Sequence, residues 1–185
     1  GKRIAVLGQG GIGLSFTMIA EKQGAQQVIG MDLEDYRLKK ALELGATDTV
    51  NPSKDDPLAA IKEITKGQGL DVVVDASGAP EGLDLCLKLV NKEGLVIGFS
   101  LVTPKTVSFT PMDWMLKNVT IRATTVALTS TPVKEIREIV ALRDRGWIDP
   151  GKLKTHNWNW DRAQDAFEMY ANRRDGVIKV ALAVT

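Results

Sequence analysis

The stretch RIAVLGQGGIG, residues 3–13, sets a short apolar run directly against three glycines, Gly8, Gly10 and Gly13, in Gly-x-Gly-x-x-Gly spacing. An apolar run of this length reads as a buried strand. The residues that follow, 11–23, read as a helix with Ile12, Phe16, Ile19 and Ala20 on one side. A glycine pattern carries weight when it links a strand to a helix, as here. Gly8 then allows the tight turn, Gly10 lets backbone approach a pyrophosphate, and Gly13 lets the helix pack close to the sheet. The helix start adds free N–H groups and the positive end of a dipole, both suited to phosphate. The competing reading is a structural strand–helix turn with no ligand.

The same alternation continues outward. QVIGMD (27–32) is a second strand, 35–44 a helix, DTVN a short third strand, and 57–66 a helix with Pro57 suited to its first turn. LDVVVDAS is a fourth strand, 81–90 a helix and GLVIGFS a fifth strand. Strands alternating with helices of this length indicate parallel βαβ units covered on both faces. Beyond residue 100 the rhythm changes. VTPKTVSFTP reads as an extended linker, MDWMLKN as a short helix and VTIRAT as a sixth strand. The fold expected is α/β, a Rossmann-type doubly wound six-stranded parallel sheet over residues 1–124. An αβ appendage follows over 125–185. In it, 132–145 reads as a helix, WIDPGKLKTHNWNW as irregular, 161–171 as a helix capped by Asp161, and GVIKVALAV as a terminal strand.

The totals narrow the function. The chain has 185 residues, 44% of them hydrophobic, enough for one substantial core. Twenty-four Lys and Arg against 23 Asp and Glu leave it nearly neutral, with no basic stripe for nucleic acid or an anionic membrane. Its longest apolar runs are strand-sized, so none spans a bilayer, and no secretion signal is visible. The single cysteine, Cys86, excludes an internal disulfide and fits the cytoplasm. The chain opens at Gly1 with strand-like sequence by Arg3, an abrupt start that reads as a processed, excised or truncated protein.

Asp32 ends the second strand, 19 residues after Gly13. A carboxylate there accepts hydrogen bonds from adenosine ribose hydroxyls and repels a 2′-phosphate, which favours NAD over NADP. Arg37 either packs near the adenosine or is a solvated helix charge. The ends of the fourth and fifth strands, DASG (75–78) and VIGFS (96–100), are carboxyl ends, where ligands of open parallel sheets sit. Asp75 there lines a site or caps a turn. Cys86 shares a helix face with Leu83, Leu87 and Val90 and reads as a core thiol. With His156 as the only histidine and Cys86 distant from it, no zinc site assembles from this chain, and no metal or catalytic residue is assigned. Trp158 and Trp160 alternate with asparagine and point one way, to a partner surface or to the core.

Several stretches together resemble the medium-chain dehydrogenase/reductase family, its zinc-type alcohol and polyol dehydrogenases in particular. They are VLGQGGIGLS, VIGMDLEDYRLKKALELGATDTVNP, DVVVDASGAPEGLDLCLKLV, GLVIGFS and the tail GWIDPGKLKTHNWNWDRAQDAFEMYANRRDGVIKVAL. The resemblance implies a cofactor domain to about residue 124, plus the segment with which such chains return to complete a zinc-bearing catalytic domain. That catalytic domain, with its cysteine and histidine ligands, has no counterpart here. The resemblance assigns Gly8, Gly10 and Gly13 to the pyrophosphate turn, and Gly11 and Ile12 to the helix start that contacts it. Asp32 becomes the NAD-selecting acid and Arg37 a basic neighbour of the adenosine. Ser77 and Gly78 face the ribose. Ile97, Gly98 and Phe99 line the nicotinamide, with Thr125 or Val126 beside it. Lys179 reaches the pyrophosphate. It also implies hydride transfer between a small alcohol and NAD(H) in the intact enzyme, no turnover by this chain alone, and a homo-oligomer paired through 106–109 and 119–123. The alternatives are a non-catalytic dinucleotide-binding module, a methyltransferase using S-adenosylmethionine, and a zinc-free quinone-reductase-like enzyme.

Overall fold

The computed structural model describes residues 1–100, 106–124 and 131–184. Six parallel strands form one sheet: β1 (Arg3–Leu7), β2 (Gln27–Met31), β3 (Asp48–Val50), β4 (Leu70–Asp75), β5 (Val90–Gly98) and β6 (Thr120–Ala123). Their order is β3-β2-β1-β4-β5-β6. The chain starts at the centre, builds outward to β3, then crosses back to β4 on the other side of β1. Helices α1 (Gly11–Lys22), α2 (Asp35–Glu43), α3 (Pro57–Ile64), α4 (Gly82–Leu89) and the short α5 (Pro111–Met115) connect the strands. This is the α/β, Rossmann-type sheet expected from the sequence, and the family comparisons below agree with it.

Both faces of the sheet are covered, which is why its central strands are apolar throughout. In β1, Ala5 and Leu7 join a core with Ile29, Val73, Cys86 and Leu87. Val6, between them, points to the opposite face and lies against Gly13 of α1. Cys86 is fully buried, and that burial pushes its thiol well above the ordinary range. It is a core residue, as read. Asp56 caps α3 by accepting from the Ala59 N–H at 2.8 Å, with Pro57 in the first turn.

The second core cluster is shared. Leu14, Ala41, Leu44 and Ala46, from the sheet's α1–α2 side, pack with Leu153 and Ile178 of the carboxyl-terminal segment. That segment contains α6 (Pro132–Asp144), α7 (Ala163–Ala171) and a two-stranded parallel sheet of β7 (His156–Asn159) and β8 (Val180–Ala183). The starts of its two strands are tied by Thr155, whose N–H donates to the Lys179 carbonyl at 2.9 Å and whose hydroxyl accepts from the Ile178 N–H at 3.0 Å.

Five readings of the sequence need correction. The face that α1 buries is Gly13, Leu14, Thr17, Met18 and Ala20, while Ile12 is exposed and Phe16 and Ile19 are half-buried. The stretch read as irregular contains a one-turn 3₁₀ segment (Pro150–Leu153) and the strand β7. Asp161 does not cap α7. It lies inside a 3₁₀ turn (Trp160–Arg162), so the helix starts later, with Arg162 at the cap position. That turn also ends the strand alternation: Trp158 is half-buried and Trp160 is exposed. Finally, β5 begins at Val90, ahead of the expected Gly94, because Leu70 pairs with Val90 before the register shifts to Val72–Leu95.

Candidate functional site

The strand order reverses between β1 and β4, and a crevice opens at their carboxyl ends. Leu7 is level with Met31 on one side and with Asp75 on the other. The residues that follow all three strands therefore meet: Gly8, Asp32 and Ala76–Ser77. Gly8 has φ of +83°, and a Cβ on it would lie 2.6 Å from the Ala76 carbonyl oxygen. A side chain is excluded twice, by conformation and by contact. A Cβ on Gly13 would lie 1.7 Å from the Gly8 carbonyl oxygen, so α1 begins directly against the turn. Gly10 differs: a Cβ there would meet nothing within 4 Å. Its side-chain position opens into a cavity, and α1 starts there with no side-chain cap. The first N–H groups of an uncapped helix lack intrahelical partners.

Asp32 is nearly buried. Its Oδ2 accepts from the Gln9 N–H at 2.6 Å and its Oδ1 from the Glu34 N–H at 3.0 Å. A carboxylate has about four acceptor positions, so capacity for hydroxyl donors remains. The Arg37 guanidinium is 3.6 Å from Asp32 Oδ2, and its Nε donates to the Tyr36 hydroxyl at 3.1 Å. Partial burial pulls the Arg37 pKa down, but the Asp32 charge and the Tyr36 bond outweigh it, and the net shift is upward. Arg37 is thus a paired cation at the site and not a solvated helix charge.

Asp75 caps a turn. Its Oδ1 accepts from the Ser77 N–H at 3.0 Å, the Ser77 hydroxyl at 2.7 Å and the Ser100 hydroxyl at 3.0 Å. This shapes the rim that carries Ser77 and Gly78, whose φ is +72°.

A cavity of about 720 Å³ lies over the glycine turn. Gly8, Gly10, Gly11, Ile12 and Gly13 line it together with Asp32, Arg37 and Ser77. The carboxyl-terminal segment adds further lining residues, including Phe167, Tyr170 and Lys179. A second cavity of about 420 Å³ adjoins it at Gly8, Asp32, Arg37 and Ser77, and adds Gly78, Leu33, Pro52 and Arg173. Ten of the sequence-assigned residues thus line one or both. Ile97, Gly98 and Phe99 line neither. They are half-buried at the end of β5, where the Phe99 ring meets Phe16 edge-on at 5.6 Å. Thr125 and Val126 lie outside the described residues.

The sequence reading did not single out Gln9, Tyr36 or Arg173. Gln9 is fully buried inside the glycine turn. Its Nε2 donates to the Val6 carbonyl at 2.8 Å and its Oε1 accepts from the Thr17 hydroxyl at 2.9 Å. An amide directly after an apolar strand was the available signal. The lone His156 pairs through Nδ1 with the Thr155 hydroxyl at 2.9 Å, at the foot of β7. Among the described residues no group of three or more His, Cys, Asp and Glu side chains could hold a metal ion. No described helix is long and apolar enough to cross a membrane.

Comparisons with known proteins identify the family. The family model for zinc-binding dehydrogenases matches residues 11–142. The chain is similar to an L-threonine 3-dehydrogenase of Bacillus licheniformis, 31% identical over 179 residues, covering 96% of this chain and 51% of that protein. It is similar to an alcohol dehydrogenase of Cupriavidus necator, 28% identical over 182 residues, covering 98% of this chain and 49% of that protein. The crystal structure of benzyl alcohol dehydrogenase from Acinetobacter calcoaceticus superimposes with a TM-score of 0.88 at 28% identity, covering 100% of this chain and 50% of that one. The chain thus spans about half the length of the curated relatives it matches.

Proposed function

The chain belongs to the zinc-binding dehydrogenase family, and from that membership we propose that it is the NAD(H)-binding part of an oxidoreductase acting on an alcohol or polyol. One observation carries the reading. The open space over Gly10, the uncapped start of α1 and the Asp32 carboxylate face the same cavity of about 720 Å³.

Each residue then has a task. The N–H groups at the start of α1 bind the pyrophosphate, which approaches closely because Gly10 has no side chain. Lys179, which lines the same cavity, adds a cation. Asp32 accepts the adenosine ribose hydroxyls on its remaining lone pairs and disfavours a 2′-phosphate. Ser77 and Gly78 form the ribose rim, and the backbone of Ile97, Gly98 and Phe99 borders the nicotinamide. When bound, the nicotinamide supplies the hydride acceptor, and the protein supplies orientation and electrostatics. We assign no catalytic residue to this chain and seat any zinc outside residues 1–185. We read the protein as cytoplasmic, and as an oligomer paired through β6, the sheet-edge strand whose residues are all exposed.

Calorimetric titration tests the reading. The chain is expected to bind NAD at least tenfold more tightly than NADP, and Asp32→Asn to erase most of that preference. Binding of neither dinucleotide would overturn it.

A further inference from the structure

Arg173 is 139 residues from Glu34 in sequence, yet its Nη1 lies 3.3 Å from Glu34 Oε1. It sits in the turn after α7, at φ of +52°. The turn is moored to the start of α2: the Tyr36 hydroxyl donates to the Val177 carbonyl at 3.3 Å, and Gly176 packs beside the Tyr36 ring. This brings Arg173 into the wall of the 420 Å³ cavity that Asp32 and Arg37 also line. The charged groups lining that cavity are Asp32, Glu81, Arg37 and Arg173. Both arginines are committed, Arg37 to Asp32 and Arg173 to Glu34, which holds it from outside the lining.

We propose that Glu34 and Arg173 are a second selectivity element at the adenosine end of the site. It rests on the dinucleotide reading above. Glu34 occupies the Arg173 guanidinium and withholds it from a 2′-phosphate. Such a group carries nearly two negative charges and matches the arginine fork. Asp32 repels the phosphate directly, and Glu34 acts by keeping a cation from it. The Arg173 side chain is 54% exposed, so it turns freely once released.

The test is a double-mutant cycle on the full chain at low salt, titrating NAD and NADP separately. Glu34→Gln is expected to tighten NADP about fivefold, the worth of one exposed charge pair, while NAD changes less than twofold. Adding Arg173→Gln should return NADP to the parent value. The ratio of the two affinities is the readout, and a merely structural role for either residue would not move it. An unchanged NADP affinity in Glu34→Gln overturns the proposal while NAD binding by the parent leaves the function intact. So does a gain that survives Arg173→Gln. A parent that binds neither dinucleotide overturns both.

Discussion

Helices α1 and α6 are 12 and 13 residues long, and both carry apolar residues at helical spacing. Five residues of α1 are buried, whereas none of α6 is. In α6 the stripe of Val133, Ile136 and Val140 is exposed. The difference is in what each helix meets. Gly13 brings α1 into backbone contact with the glycine turn, and that contact fixes which face turns inward. It even buries Thr17, whose hydroxyl is satisfied by Gln9. Apolar period thus specifies a helix, and a complementary neighbour specifies the buried face.

The largest effect that could break this comparison lies at Gly13. In Gly13→Ala the new methyl would start 1.7 Å from a backbone oxygen, less than half an ordinary contact distance of ~3.5–4.0 Å. No side chain can yield there, so the turn itself must move. A loss above about 4 kcal/mol in urea unfolding is expected, with loss of NAD binding. A variant as stable as the parent would mean that α1 is not held by the turn.

Gln9 comes next. Gln9→Leu keeps the volume but removes the acceptor of the buried Thr17 hydroxyl and one donor to the Val6 carbonyl. Stranding the buried hydroxyl costs about 1–3 kcal/mol. The Gln9 N–H still reaches Asp32, so NAD affinity is expected to fall much less than stability does. A collapse of affinity at unchanged stability would show that the amide serves the ligand and not the turn.

The parts legible in the sequence were those with local causes. Gly8, Asp32 and Ser77 each follow an apolar strand, and parallel strands bring such ends to one edge. Asp75 was readable as a cap because its partner Ser77 is two residues away. What sequence periodicity did not reveal depends on distant partners. The strand β7 has four residues and pairs with β8 more than twenty residues later, through the Thr155 ties to Ile178 and Lys179. Arg173 reaches the site through a turn whose position is set by Tyr36, 141 residues from its acceptor Val177. The buried face of α1 escaped periodicity for a different reason: its neighbours are close in sequence, a glycine oxygen and a buried amide, and neither has an apolar period.

The smallest expected effect sharpens the comparison from the other side. Ile136 of α6 is 63% exposed, so Ile136→Lys removes no buried contact and leaves no cavity. Its unfolding free energy should change by no more than about 0.5 kcal/mol, as at other surface positions. The measurement is urea unfolding at two protein concentrations tenfold apart. If parent and variant unfold alike at both, α6 is uncovered in solution, as it is in the structure. If the parent grows more stable with concentration and the variant does not, a second copy covers the stripe, since only association links stability to concentration. The contrast with α1 would then lie in where the complementary neighbour comes from, the same chain for one helix and another chain for the other.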